Sequence, residues 1–311
     1  MLNLNFKNSG RGYLEISFSW FFAVLVGIMI LSLAIFAVTK LIKVGQTAQD
    51  VKVGKEIGIL LNPLETSFEV GKTTSLSLPV ETRIFNKCSN NGIFGKQSFQ
   101  ISQMSLNKWT QTDLNVSFVN KYVFSNGFVE GKKFYLFSKP FDMPFKIADL
   151  IFITSVNDEY CFVNPPEEIS DELLALNQGN LLVNNCSDKS IRVCFGGGNC
   201  DISVNYNLNY VTKGSQKFYF EGDALMYAAV FSDKEVYECQ LKRLMQRGEQ
   251  LSLLYKNKAA FVVWTGCKSN LDLLGLSNLQ KSFVNSLGLA SISRLADEIK
   301  EKNDVAECKL W

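Results

Sequence analysis

Residues 16–39 read ISFSWFFAVLVGIMILSLAIFAVT, 24 positions without a charge, and no other stretch of this 311-residue chain constrains its fold as strongly. A helix of that length extends about 36 Å at 1.5 Å per residue, enough to cross a hydrocarbon core of about 30 Å with some tilt. The apolar region of a secretory signal is much shorter. The sequence therefore predicts a single-pass protein of the cell membrane, with the lipid bilayer as its first partner. About 270 residues follow the span, room for one large or two modest domains.

Composition then removes whole classes of function. Lys and Arg total 32 against 30 Asp and Glu, so bulk charge gives no support to nucleic-acid binding. There is no histidine, which takes away the commonest general base and metal ligand, and with them Ser/His/Asp triads and His-bearing zinc sites. The expectation is a non-catalytic protein with no cofactor and no metal. The eight cysteines, Cys88, Cys161, Cys186, Cys194, Cys200, Cys239, Cys267 and Cys308, all follow the span. In an oxidising compartment an even set reads as up to four disulfides, whose 105 connectivities sequence cannot sort. Cys194 and Cys200 bracket FGGGN like the two ends of a short loop and are expected to pair, and Cys239 is expected to reach Cys267 on a returning segment.

Topology draws on opposing signals. Lys7 and Arg11 flank one end of the span while Lys40, Lys43, Lys52 and Lys55 flank the other, which by the positive-inside count places the C-terminal side in the cytoplasm. The one-sided cysteines favour export, as do the sequons at Asn115 and Asn185, the candidate glycosylation sites. The reading adopted is an extracytoplasmic C-terminal domain.

The leader SGRGYLEISFSWFFAVLVG, with a basic, glycine-bearing start and a glutamate at the edge of the apolar run, resembles a type IV pilin-like (class III) signal segment and the entry of TadE-like pseudopilins. The resemblance implies cleavage by a membrane peptidase after Gly10, leaving Glu15 fifth in the mature chain, or after Gly12, leaving it third. It also implies that Glu15 helps to position like subunits. Physically, a carboxylate at the rim of the hydrocarbon calls for an interfacial position or a cationic partner, such as a neighbour's free α-amino group; the helix N-terminus alone also favours it. In outline the chain is similar to uncharacterised single-span archaeal membrane proteins with a β-rich middle and a late helix like YECQLKRLMQR, a likeness that implies no activity.

Helical spacing continues past the span through Leu41, Val44, Ala48 and Val51 to Ile57, Leu60 and Leu61, with Pro63 as the stop. The period then changes to two, from about Thr66 to Val156, in SLSLPVETRIF, SFQISQ, NVSFVNKYVFS and KKFYLFS. Asn126-Gly127 is expected to close a two-residue hairpin and Asn91-Gly92 another turn. After NPPEEISDELLAL, which opens as a helix, come short strands in LLVNN, SIRVCFG and DISVNYNLNYV. Ser232 to Glu235 reads as a capping box for a helix with Tyr237, Leu241, Leu244, Met245, Leu251, Leu254 and Tyr255 inward and Lys242, Arg243 and Arg247 in solvent. A final helix turns Ile292, Leu295 and Ile299 inward.

The fold class is thus α+β: a long N-terminal transmembrane helix, then a β-rich, disulfide-braced head with C-terminal helices. The expected divisions are a leader over 1–12, helix and stalk over 13–62, a β-rich part over 63–157 and an α/β to helical part over 158–311. GKTT at Gly71 lacks the upstream glycine and following helix of a phosphate loop, and FGGGN lacks the spacing of a dinucleotide fingerprint. Three readings of function remain: a pilin-like surface protein assembling with like subunits or other surface proteins, a permanently anchored ligand- or partner-binding domain, and a tethered hydrolase built on carboxylates from distant segments.

Overall fold

A computed structural model describes residues 18–65, 73–105, 107–110, 115–198, 200–266 and 270–311. It divides into two compact units between Ala48 and Gln49. Helix α1 (Phe18–Glu65) continues two residues beyond Pro63, the expected stop. In the first unit its segment Phe18–Ile42 is long and apolar enough to cross a membrane, and none of that window is buried.

The second unit is β-rich, with two mixed sheets and C-terminal helices. The first sheet is built from β1 (Thr73–Ser89), β2 (Lys96–Ser105), β3 (Lys108–Trp109), β4 (Asn115–Phe118), β5 (Tyr122–Phe124), β6 (Phe128–Asp142) and β7 (Lys146–Ser155). Its main path runs β3-β2-β1-β6-β7-β5, with β4 on β2. Pro79 falls where the β1–β6 register slips between Ser77 and Thr82, so its missing N–H breaks no regular ladder position. The turn at Asn91-Gly92 does link antiparallel β1 and β2, with Gly92 at φ +86° and Gly95 at φ +57°. The hairpin expected at Asn126-Gly127 is absent: β5 pairs in parallel with β7, while β6 pairs with β1 and β7. The dipeptide instead turns the chain between non-adjacent strands, and the N–H of Gly127 donates to Asp233 Oδ2 at 2.7 Å.

β7, the run KIADLIFITS, is buried from Ile147 to Ser155 because the sheet is covered on both faces. Phe152 and Leu150 face the larger core, and Ile151 and Ile153 the smaller one, to which Val53 of α1 contributes at 4% exposure.

The second sheet holds β8 (Tyr160–Val163), β9 (Leu181–Val183), β10 (Ile191–Phe195), β11 (Ile202–Asn205), β12 (Tyr210–Lys213) and β13 (Gln216–Tyr219), in the order β13-β12-β11-β10-β8-β9. Helix α2 (Glu167–Leu176) crosses from β8 to β9. Between the sheets' inner residues lies α3 (Gly222–Phe231), every residue of which from Ala224 onward is buried. Such a helix is apolar all round because it has core on all sides. Its Phe231 meets Phe137 and Phe152 of the first sheet at 5.8 and 6.1 Å, and Tyr160 and Phe162 of the second at 4.9 and 6.2 Å.

Helix α4 (Lys234–Val262) buries Tyr237, Leu241, Leu244 and Met245 as its spacing predicts, but Leu254 is 61% exposed. Its N-cap is Asp233, which accepts from the N–H of Val236 at 2.9 Å, and not Ser232, whose carbonyl receives Lys213 Nζ. Arg243 is fully buried, contrary to its expected place in solvent. Helices α5 (Leu273–Lys281) and α6 (Leu289–Asp304) complete the unit, with Ile292 and Ile299 buried in α6.

Three disulfides with both partners among the described residues brace the second unit: Cys88–Cys239, Cys161–Cys186 and Cys194–Cys200. Cys239 therefore joins β1 and not Cys267, because the start of α4 lies against β1 while its own chain runs away from it. Cys308 is also disulfide-bonded. Cys267 lies outside the described residues.

Candidate functional site

Strands β9, β8, β10 and β11 run parallel. From β8 the chain leaves through α2 to β9 on one side, and from β10 it proceeds to β11 on the other. Neighbouring parallel strands whose connections diverge leave a crevice outside their carboxyl ends. A groove of about 700 Å³ lies there, within the usual range of ligand sites.

Each wall follows from local sequence. Asn164 ends β8 in the left-handed region at φ +50°, its N–H held by Asn184 Oδ1 at 2.8 Å, and Pro165 and Pro166 lead into α2. Beyond β10, Gly196, Gly197 and Gly198 all have positive φ, a path open to glycine, and the Cys194–Cys200 bridge closes the loop. On the third side, alternation along antiparallel β11 and β12 sets Ser203 opposite Thr212 and Asn205 opposite Tyr210, while Val204 and Val211 turn to the core. Asn205 Nδ2 donates to the Tyr210 hydroxyl at 3.3 Å, and Asn205 Oδ1 accepts the N–H of Leu208 at 3.0 Å.

Tyr206 joins the groove to a charged cluster behind it. Its ring lies 6.4 Å from Phe195 and 6.3 Å from Phe220, and its hydroxyl donates to Asp223 Oδ1 at 2.6 Å. Desolvation, and then the Asp223 carboxylate, push that hydroxyl's pKa well above the ordinary tyrosine value, so it stays a donor. Lys139 Nζ bridges Glu172 Oε2 at 2.6 Å and Asp223 Oδ2 at 3.7 Å, and the Tyr227 hydroxyl donates to Glu172 at 3.1 Å. Both carboxylates are engaged by this lysine and by tyrosines. That wiring suits a rigid wall better than the carboxylate pair a hydrolase would need open to water.

No family model, curated protein or solved structure matches this chain.

The residues singled out by sequence lie elsewhere. Gly10, Gly12 and Glu15 fall outside the described residues. Asn115 is exposed on β4. Asn185 is exposed too, but Cys186 beside it is bridged to Cys161, and the Ser187 hydroxyl donates to Glu159 Oε1 at 2.5 Å. Among the described residues singled out by sequence, Cys194 and Cys200 close the loop that walls the groove. Its signal in the sequence was the alternation of asparagine and tyrosine in SVNYNLNY, visible as strands but not as a surface. Among the described residues no cluster of His, Cys, Asp and Glu could hold a metal ion.

Proposed function

We propose that this chain is a pilin-like surface protein, anchored by α1 in the cell membrane, with its disulfide-braced head outside the cytoplasm and a structural or assembly role in place of catalysis. The observation that carries the reading is the double character of one uninterrupted helix. Its segment Phe18–Ile42 is apolar and wholly unburied, whereas further along Val53 enters a core and Gly58 lies under the Phe118 ring. Half in lipid and half in a head is the build that the pilin-like leader implies. On this reading the leader is removed after Gly10 or Gly12, and Glu15 meets a neighbouring subunit's amino terminus. The disulfides support an oxidising compartment over the positive-inside count.

The test is the intact mass of the chain extracted from native membranes, unreduced and treated with a thiol-blocking reagent. A chain beginning at Arg11 or Tyr13 with unmodified cysteines is the expected result. Modified cysteines would reject export. A second reading, a permanently anchored binding domain, is favoured by the groove at the strand ends; an unprocessed leader with intact disulfides would select it.

A further inference from the structure

We infer that the groove at the carboxyl ends of β8, β10 and β11 binds an uncharged oligosaccharide. It has the size and the switch-point position of a ligand site, and its lining carries no ionisable acid or base other than tyrosine. Two kinds of surface alternate there. Phe195, Tyr206 and Tyr210 offer aromatic area, which packs against the C–H faces of sugar rings. Asn164, Asn207 and Ser203 offer short amides and a hydroxyl, groups that donate and accept at once as sugar hydroxyls do.

The surrounding charge argues against the other small polar ligands. Glu168, Glu172 and Asp223 all act on Tyr206, and the two cations near the groove are engaged, Lys139 by Glu172 and Asp223 and Lys217 over the Tyr210 ring at 4.2 Å. The N-terminus of α2, which would otherwise attract an anion, already carries Glu167 and Glu168 in its first turn. Phosphorylated, sulfated and uronic ligands therefore meet more carboxylates than cations, Glu167, Glu168, Glu172 and Asp223 against Lys139 and Lys217. A small cation would find those carboxylates partly offset by the same lysines, and no carboxylate in the lining itself.

The surface is also set before any ligand arrives, which lowers the entropy lost on binding. Tyr206 is fixed through Asp223, Tyr210 stacks under Lys217 Nζ at 4.2 Å from its ring centre, and the glycine loop is tied by its disulfide. The inference rests on the proposed exported head only for where the sugar is met. Binding by purified protein is measured independently of topology or leader processing.

The experiment uses the full chain in lipid nanodiscs, without glycoside detergents, titrated with hexamers of the chito-, cello-, malto- and manno- series, with hexagalacturonate as the anionic comparator and spermidine as the cationic one. Saturable binding of at least one neutral hexamer is expected, weakened at least about tenfold by Asn207→Ala and by Tyr210→Ala. Leu208→Ala, at a neighbouring residue 66% exposed and outside the lining, is expected to leave it unchanged. Asn207 is exposed in a turn, so its variant tests the site without a threat to folding. The inference is overturned if no neutral hexamer binds, if only hexagalacturonate or spermidine binds, or if neither groove variant weakens binding.

Discussion

Arg243 is buried with no carboxylate partner among the described residues. Its guanidinium donates to the carbonyls of Phe94 at 3.1 Å, Lys121 at 2.8 Å and Val119 at 2.7 Å, and to Gln240 Oε1 at 2.7 Å, and it lies over the Tyr122 ring at 4.7 Å. Burial lowers its pKa to about 10, so it remains charged at neutral pH. Arg243→Leu would strand these acceptors and is expected to cost about 3 kcal/mol or more in denaturant unfolding, with Arg243→Lys rescuing little because an ammonium cannot span the same fork. Gly95 sits against this arginine at φ +57°; a Cβ there would meet the Ser89 carbonyl and, at 2.9 Å, Arg243 Cγ. Lys213 carries a pH dependence. Burial lowers its pKa to about 7, against the pull of Asp233, while in the unfolded chain it titrates near 10.4. Between those values the unfolded state holds the extra proton, so native stability climbs as pH rises from about 7 to 10. Lys213→Met should flatten that climb in melting temperatures measured across the window, and an unchanged slope would refute the assignment.

At the scale of elements, the disulfides differ in what they tie. Cys88–Cys239 joins β1 to α4 across 151 residues, Cys161–Cys186 spans 25 and Cys194–Cys200 only 6. If loop entropy of the unfolded chain dominates, paired Cys→Ser variants should lose stability in that order, the longest by about 4–5 kcal/mol. A larger loss for Cys194–Cys200 would show strain or local structure in control. The start of α4 is a second joint, because Asp233 caps the helix through Val236 and holds the β5–β6 turn through Gly127. Asp233→Ala removes both bonds and is expected to cost about 2 kcal/mol, more than the loss of a cap alone.

For the whole molecule, the two parts of α1 should answer differently to the same insult. Leu31 is 64% exposed in the apolar segment, and Val53 is 4% exposed in a core. On the proposed membrane anchoring, Leu31→Lys should weaken membrane retention, by about 3 kcal/mol on insertion scales, and leave the melting of the head unchanged. Val53→Lys should do the reverse. Alkaline extraction and thermal unfolding measure the two losses separately.

Much of this architecture is written locally. The charge-free run, the period-two strands β1, β2 and β6, the inward faces of α4 and α6 and the Cys194–Cys200 loop all follow from neighbours within a few residues, where helix and strand geometry alone dictate which side chains share a face. What sequence misread depends on partners far along the chain. Asn126-Gly127 has hairpin chemistry, but β5 finds β7. Arg243 has a solvated residue's chemistry, but three carbonyls from the β1–β2 loop and the approach to β5 enclose it. Cys239 is bridged to a residue 151 positions away. Helix α3 gave no amphipathic signal because core surrounds it on every side. The groove belongs to this second kind, since its walls come from the ends of three strands that only the parallel pairing of β8, β10 and β11 brings side by side. Sequence alone determined an apolar helix long enough to cross a membrane followed by an α+β, cysteine-rich body, because those are properties of segments. The tertiary structure decided the bridges, the buried charge and the groove, because each is a meeting of segments whose free energy comes from non-local contact.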